Sequence, residues 1–181
     1  MNNHQGILIF GASGSGTTTL GRELATLLNH EHHDIDDYVW EQTNPPFIEE
    51  RPLDKRVALL RSAIKGNFVL SGCLREWGDA FDAMLAMAVF VNTPTHVRAQ
   101  RLEKREFNRY GTRIKPGGDL YCRHQKFLEY IATYDHGGME TRSLASQSAW
   151  AKTLTCPVVH VSNADDFRTA ANMLAMRYSK I

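Results

Sequence analysis

Short unbroken apolar runs alternate along this chain with stretches in which apolar residues return every three or four positions. Gly6-Ile7-Leu8-Ile9-Phe10 is a continuous apolar run, which fits a strand buried on both faces. A glycine-rich segment follows, and then Leu20, Leu24, Leu27 and Leu28 recur at helical spacing. The succession is strand, loop, helix. Residues 32–34 allow a brief second strand ending in carboxylates. Pro52 suits a helix start, with Leu53, Val57, Leu60 and Ile64 along one face until Gly66 stops it. Phe68-Val69-Leu70 and Ala88-Val89-Phe90-Val91 are two further buried-strand candidates. After the second, Thr93 is placed to cap and Pro94 to open a helix reaching about Asn108.

From Arg109 to Asp119 the pattern is basic and irregular, broken by Pro116-Gly117-Gly118. Asp119 is an N-cap candidate for a helix using Leu120, Phe127, Leu128 and Ile131, and Gly137-Gly138 separates that helix from one ending near Leu154. Val158-Val159-His160-Val161 is the last strand candidate, and Phe167, Ala170, Ala171 and Leu174 define a closing helix. Strands alternating with helices predict an α/β fold: three layers around a parallel sheet of about five strands. The 181 residues suit one domain, 1–181. No repeat or linker interrupts it, and the irregular region reads as a helical lid, an insertion spanning roughly 106–150.

Composition narrows the function classes. Twenty-one Lys and Arg against 20 Asp and Glu give no reason to expect bulk binding to nucleic acid or membrane. The apolar runs fall far short of the roughly 20 residues that span a bilayer. The start of the chain, Met1 to Gln5, is polar and runs straight into a strand, so no signal peptide is expected. Cys73, Cys122 and Cys156 are widely spaced, and read as reduced thiols of a cytoplasmic protein.

The chemistry concentrates in Gly11-Ala12-Ser13-Gly14-Ser15-Gly16-Thr17-Thr18, with Thr19 next. Glycine, four residues, glycine, one residue, then Ser or Thr is the spacing of a phosphate loop. Glycines admit positive φ and turn successive N–H groups toward an anion, and the following helix adds its unpaired N–H groups and positive dipole end. Thr18 stands where a hydroxyl would ligate the Mg²⁺ that bridges two phosphates. Thr17 stands where lysine is expected. Losing one charge-assisted hydrogen bond costs about 1.5–3 kcal/mol, against about 8–23 kcal/mol for a whole enzymatic rate enhancement. The substitution therefore attenuates catalysis without excluding it, provided arginines supply the charge. It equally fits a protein that binds nucleotide and does little chemistry.

With these motifs in order, the sequence resembles the nucleoside monophosphate kinase-like branch of P-loop kinases, which includes adenylate, cytidylate, shikimate and gluconate kinases. The resemblance covers most of the chain. The run Gly14 to Thr19 matches the lysine-less Gly-Ser-Gly-Thr-Thr-Thr loop of some cytidylate kinases. The stretch from Phe68 to Arg75 is similar to the adenylate kinase segment ending Asp-Gly-Phe-Pro-Arg: Gly72 and Arg75 match, while Ser71 replaces the aspartate. The resemblance implies that Arg75 binds the acceptor's phosphate or carboxylate. Thr93-Pro94 followed by Arg101 and Arg105 resembles the helix leading into an adenylate kinase lid. Four apart, these arginines share one helix face, where Arg101 would stack on the nucleotide base and Arg105 touch the transferring group. Arg98 either joins them or faces solvent. Asp34-Ile35-Asp36 resembles the Asp-x-Asp of shikimate-type kinases, in which the first carboxylate holds Mg²⁺ through water and the second binds or deprotonates the acceptor. Asp37 leaves open which residue points inward.

The resemblance implies ATP and Mg²⁺ as cofactors, and a nucleotide plus a small-molecule acceptor as partners of a monomer or homodimer. The arginine at 75 tilts the acceptor toward a nucleoside monophosphate, and the Asp-x-Asp tilts it toward a hydroxyl compound. A nucleotide-dependent binding protein is the reading from another class. His30, His32 and His33 lie beside the carboxylates, but neighbours on a strand point to opposite faces, so His32 and His33 do not easily share a metal. Trp40 and Trp77 flank the acceptor region. Arg113, Lys115, Arg123 and Arg142 lie in or after the lid and are the candidates to replace the charge missing at Thr17. Arg142, on the returning arm, is favoured.

Overall fold

The computed structural model describes residues 5–77, 79–162 and 166–181. Residues 1–4, whose polarity entered the reading of the chain's start, lie outside them. The elements run β1 (Gly6–Gly11), α1 (Thr17–Leu28), β2 (Glu31–Asp34), α2 (Asp36–Val39), α3 (Leu53–Ala63), β3 (Phe68–Ser71), β4 (Leu85–Asn92), α4 (Thr95–Tyr110), α5 (Tyr121–Ala132), α6 (Leu144–Ala151), β5 (Val158–Ser162) and α7 (Phe167–Tyr178), with short 3₁₀ turns between some of them. The five strands form one parallel sheet in the order β2-β3-β1-β4-β5. This is the three-layer P-loop α/β architecture that the alternation of patterns predicts.

The run at residues 7–10 is continuous because β1 is central and covered on both faces. Ile7 and Ile9 pack with Leu20, Leu24, Val89, Ala171 and Leu174 on the side of α1 and α7. Leu8 and Phe10 pack with Leu60, Phe68, Leu70, Phe90 and Ala151 on the other. At the sheet edge β5 alternates, with Val159 and Val161 buried and His160 exposed. Parallel pairing sends every strand's carboxyl end to one edge. Register there sets Asp34 and Ile9 each opposite Ser71, so the phosphate loop, the acidic segment and the turn after β3 emerge side by side.

Several local expectations are corrected. Pro94, not Thr93, holds the N-cap position of α4, which runs two residues past Asn108. Thr93 is buried and its hydroxyl donates to the Ser15 carbonyl at 3.1 Å, a tertiary demand that outranks capping. Asp119 does not cap α5, whose cap position is Leu120. The Arg113 guanidinium draws the carboxylate away at 2.6 Å. On α3 only Leu60 is buried, and Leu53 is exposed, because the helix touches the core with a narrow stripe. The helix after Gly138 stops at Ala151 rather than near Leu154 and begins with a reciprocal Ser143–Ser146 capping box.

Candidate active site

The phosphate loop has the backbone its glycines permit. Gly14 and Gly16 have φ of 79° and 94°, a region that residues with a Cβ avoid. A Cβ on Gly14 would lie 2.8 Å from the Arg98 carbonyl oxygen, and one on Gly16 would lie 2.4 Å from Phe167 Cζ. The loop is thus tightened from outside as well as by its own turn. No side chain caps α1, so the first-turn N–H groups are left for an anion. Beside them Thr18 Oγ1 donates to Asp34 Oδ2 at 2.8 Å, and the Asp36 N–H donates to Asp34 Oδ1 at 3.1 Å. The hydroxyl keeps lone pairs free while donating. Hydroxyl and carboxylate are hard oxygen donors of the kind Mg²⁺ takes alongside its own waters, so these two residues fit the ion, while the loop and the helix terminus fit a polyphosphate.

From this corner a cavity of about 500 Å³ extends outward, lined at one end by Ser13, Thr17, Thr18, Asp34, Asp36 and Arg142. Its lining is also rich in rings, Trp40, Phe47, Trp77, Tyr110 and Phe127, with Arg75, Arg109 and Arg123 among them. Residues 41–50 form a strap between α2 and α3, and Phe47 sits on it at a φ of 64°. The strap is tied across the cavity to α4 and α5. Arg109 lies 4.5 Å over the Phe47 ring, the Trp40 and Phe47 rings meet edge to face at 5.9 Å, and Arg123 donates to the Pro46 carbonyl at 3.2 Å and to that of Phe47. Asp36 is itself exposed to the cavity, yet desolvation by the protein around it pushes its carboxyl above the ordinary range, and the nearby Asp34 charge adds to this against Arg142 and Arg105.

Residues 7–119, more than half of the chain, match the family model described as an AAA domain. The chain belongs to this AAA-domain family. The uncharacterized protein YqaC of Bacillus subtilis (strain 168) is 39% identical over 159 residues, covering 87% of this chain and 88% of that one. Among solved structures, shikimate kinase from Acinetobacter baumannii in complex with shikimate aligns over 98% of this chain and 94% of its own at a TM-score of 0.58 and 19% identity. Deoxyadenosine kinase from M. mycoides with bound products covers 98% and 100% at 0.57 and 16%. A gluconokinase from Sinorhizobium meliloti 1021 covers 99% and 94% at 0.53 and 14%. This member of the AAA-domain family therefore has the fold of the nucleoside monophosphate kinase-like P-loop kinases.

Within the AAA domain and the segment beyond it, most of the residues singled out from sequence converge. Ser13, Gly14, Thr17, Thr18, Asp34, Asp36, Arg75, Trp77, Arg105 and Arg142 all line the cavity. Asp36, not Asp37, is the carboxylate on the lining, because the one-turn α2 rotates its neighbour away. Arg142 donates from Nη2 to the Gly11 carbonyl at 3.0 Å. Gly11 and Ser15 are buried in the base of the loop, and Thr19 is exposed. Arg101 lies outside the lining, with Nη1 3.4 Å from the Ser15 carbonyl oxygen and its guanidinium 5.5 Å from the Phe167 ring centre. It therefore sits beside Gly16, on the loop's outer flank. Arg98 neither joins a basic face nor meets solvent: it is 1% exposed and paired with Asp135 at 3.0 Å. Arg113 pairs with Asp119, and Lys115 lies over the Phe107 ring, so neither lines the cavity. His32 Nε2 meets Ser71 Oγ at 2.6 Å while His33 Nδ1 meets the Tyr38 hydroxyl at 2.8 Å, which sends the two rings to different partners.

Sequence reasoning missed Phe47, Glu106, His124 and Gln147. Glu106 is buried and accepts from both Arg105 at 3.2 Å and Arg109 at 3.5 Å. A carboxylate one and three residues from two arginines on a helix was a readable signal. Gln147, whose Nε2 lies 3.4 Å from the Gly11 carbonyl, carried none.

Proposed function

We propose that this protein transfers the γ-phosphoryl group of ATP to a small acceptor, with a nucleoside monophosphate favoured. One observation carries the reading: a single cavity joins the phosphate loop to a ring-lined, arginine-rich chamber. Donor phosphates at one end and a flat aromatic acceptor at the other would occupy it together. In this reading the N–H groups from Gly14 to Thr18 hold the donor phosphates. Thr18 and Asp34 would hold Mg²⁺, whose charge would offset that of the donor phosphates. Arg105 and Arg142 supply cationic charge to the transferring group, and Arg142 does so in place of a lysine at position 17. Arg101 flanks the base of ATP with Phe167. Arg75 takes the acceptor's phosphate, as its fork suits, and Trp77 packs beside it. The acceptor oxygen attacks the γ-phosphorus as the bond to the β-phosphate oxygen breaks, and a phosphate acceptor needs no base. Residues 106–150 close over the reactants as a lid that keeps water from the donor, in a cytoplasmic protein.

A second reading is favoured by Asp36, whose raised pKa suits a base. An alcohol acceptor would give its proton to this carboxylate as it attacks, as in a kinase of small hydroxyl compounds. The deciding measurement is ADP formation from Mg·ATP by the purified protein across nucleoside monophosphates, nucleosides, hydroxy acids and sugar acids. Turnover with monophosphates and not with alcohols supports the first reading, and the reverse pattern supports the second. Tight ATP binding with no acceptor-stimulated turnover in that panel sinks both and leaves a nucleotide-dependent binding protein.

A further inference from the structure

The proposed function does not use Arg98, the largest fully buried side chain of the described residues. Its guanidinium donates from Nε to the Thr93 carbonyl at 3.0 Å, and from Nη2 to Thr95 Oγ1 at 2.9 Å and to both Asp135 oxygens at 3.0 Å. It also lies 5.0 Å over the Tyr134 ring. A buried arginine is costly to place unless its charge is paired; Asp135 pairs it here, while Nη1 is buried without a hydrogen-bond partner among the described residues. What these bonds join is informative. On one side, Thr93 props the Ser15 carbonyl, and the Arg98 carbonyl itself abuts Gly14. Both contacts bear on the phosphate loop. On the other side, Asp135 and Tyr134 begin the arm that carries Arg142.

That arm closes on itself. The Leu144 N–H donates to the Tyr134 carbonyl at 2.8 Å, the Gly137 N–H to the Thr133 carbonyl at 2.7 Å, and the Ser143 and Ser146 hydroxyls to the Gly138 and Thr141 carbonyls, each at 2.7 Å. Residues 133–146 are thus tied to one another, Leu144 packs on the core, and two polar attachments hold the segment near the phosphate loop. One is the Arg98 pair. The other is the Gly11 carbonyl, which Arg142 Nη2 reaches at 3.0 Å; the Gln147 amide, held by the Tyr134 hydroxyl at 2.6 Å, approaches the same carbonyl. Gly11 opens the phosphate loop, so both attachments bear on it.

We propose that Arg98 is a positioning residue: its buried pair with Asp135 fixes the 133–146 arm, and with it Arg142, against the phosphate loop. The proposal rests on the reading of Arg142 as the cation that serves the donor phosphates in place of a lysine at position 17. It makes Arg98 matter to chemistry only through Arg142, a prediction that a purely structural role does not share.

The test is a double-mutant cycle on the full chain. Arg98→Met and Arg142→Ala are made singly and together, and Asp135→Asn, which keeps the shape of the partner and removes its charge, is carried through the same cycle as a milder perturbation. The readouts are kcat, KM for ATP, the Kd of Mg·ATP by calorimetry, and a melting curve. Arg98→Met should lower kcat by about 10- to 100-fold with little change in KM, and should change kcat less than about 2-fold once Arg142 is alanine. Losses that multiply across the cycle overturn the proposal and leave the kinase reading intact. A parent with no turnover on any acceptor defeats the kinase reading, and the cycle in Kd then decides: non-additive losses sustain the positioning role and additive losses end it. If Arg98→Met does not fold, the Asp135→Asn cycle, which weakens the same pair from its other side, decides by the same criteria.

Discussion

Replacing Thr18 by valine tests the metal corner with little change of shape. The Thr18 hydroxyl has two tasks in one atom: it donates to Asp34 at 2.8 Å, and its remaining lone pairs face the corner where Mg²⁺ would sit. Valine removes both. Hydrogen bonds to charged groups contribute about 1.5–3 kcal/mol, which is about 10- to 150-fold in affinity at 1.4 kcal/mol per decade. The loss should fall on Mg·ATP and not on free ATP, because the loop's backbone donors hold phosphate without the hydroxyl. Calorimetric titration with ATP, in excess Mg²⁺ and again in a chelator, separates the two. Thr18→Ser, which keeps the oxygen, should stay within about threefold of the parent. Equal losses for valine with and without Mg²⁺, or a serine variant as weak as valine, would show that Thr18 acts on loop shape rather than on the metal.

Asp36→Asn should abolish turnover with alcohol acceptors and also stabilise the fold. Desolvation by the surrounding cavity wall and the Asp34 charge raise its folded pKa, so ionisation penalises the native state, only modestly because the side chain itself is exposed and screened by solvent. The gain in melting temperature should be full above that raised pKa and vanish as pH falls below the unfolded carboxylate value, which melting curves across that range will show. Gly21→Ala, a change that stabilises an open helix by about 1 kcal/mol, should here lower the melting temperature, because the added Cβ would lie 2.3 Å from Ser71 Oγ. Arg75→Lys should raise the acceptor's KM by about tenfold through loss of a bidentate fork, with the calorimetric Kd of Mg·ATP unchanged.

What could be read from sequence is what short-range chemistry dictates. Residues 7–10 announce a central strand because covering both faces forbids polar residues there. Gly14 and Gly16 announce a phosphate loop because few other residues tolerate their backbone. Asp34 and Asp36 were legible as a pair, since the strand's end fixes where both emerge. Long-range demands were not legible. Thr93 has the chemistry of a cap but is taken by Ser15, and Asp119 is taken by Arg113. Arg98 resembled any arginine of a basic helix until Asp135, 37 residues away, came to meet it. Phe47 lies in a segment with no apolar period at all, so nothing in the pattern marked it as a cavity wall.

That segment has a consequence for how such a chain diversifies. The phosphate end of the cavity is anchored in strands and helix starts whose residues cannot change without disturbing the core. The strap at residues 41–50 belongs to no ladder of the sheet: it is fastened by the Trp40–Glu50 bridge, by the Arg51–Glu41 ion pair at 3.0 Å, and by Arg109 and Arg123 from across the cavity. Its ring at Phe47 can be exchanged, lengthened or withdrawn while the sheet stands untouched. On the proposed kinase reading, selection for a different acceptor would have this surface to work on without altering how the donor is held.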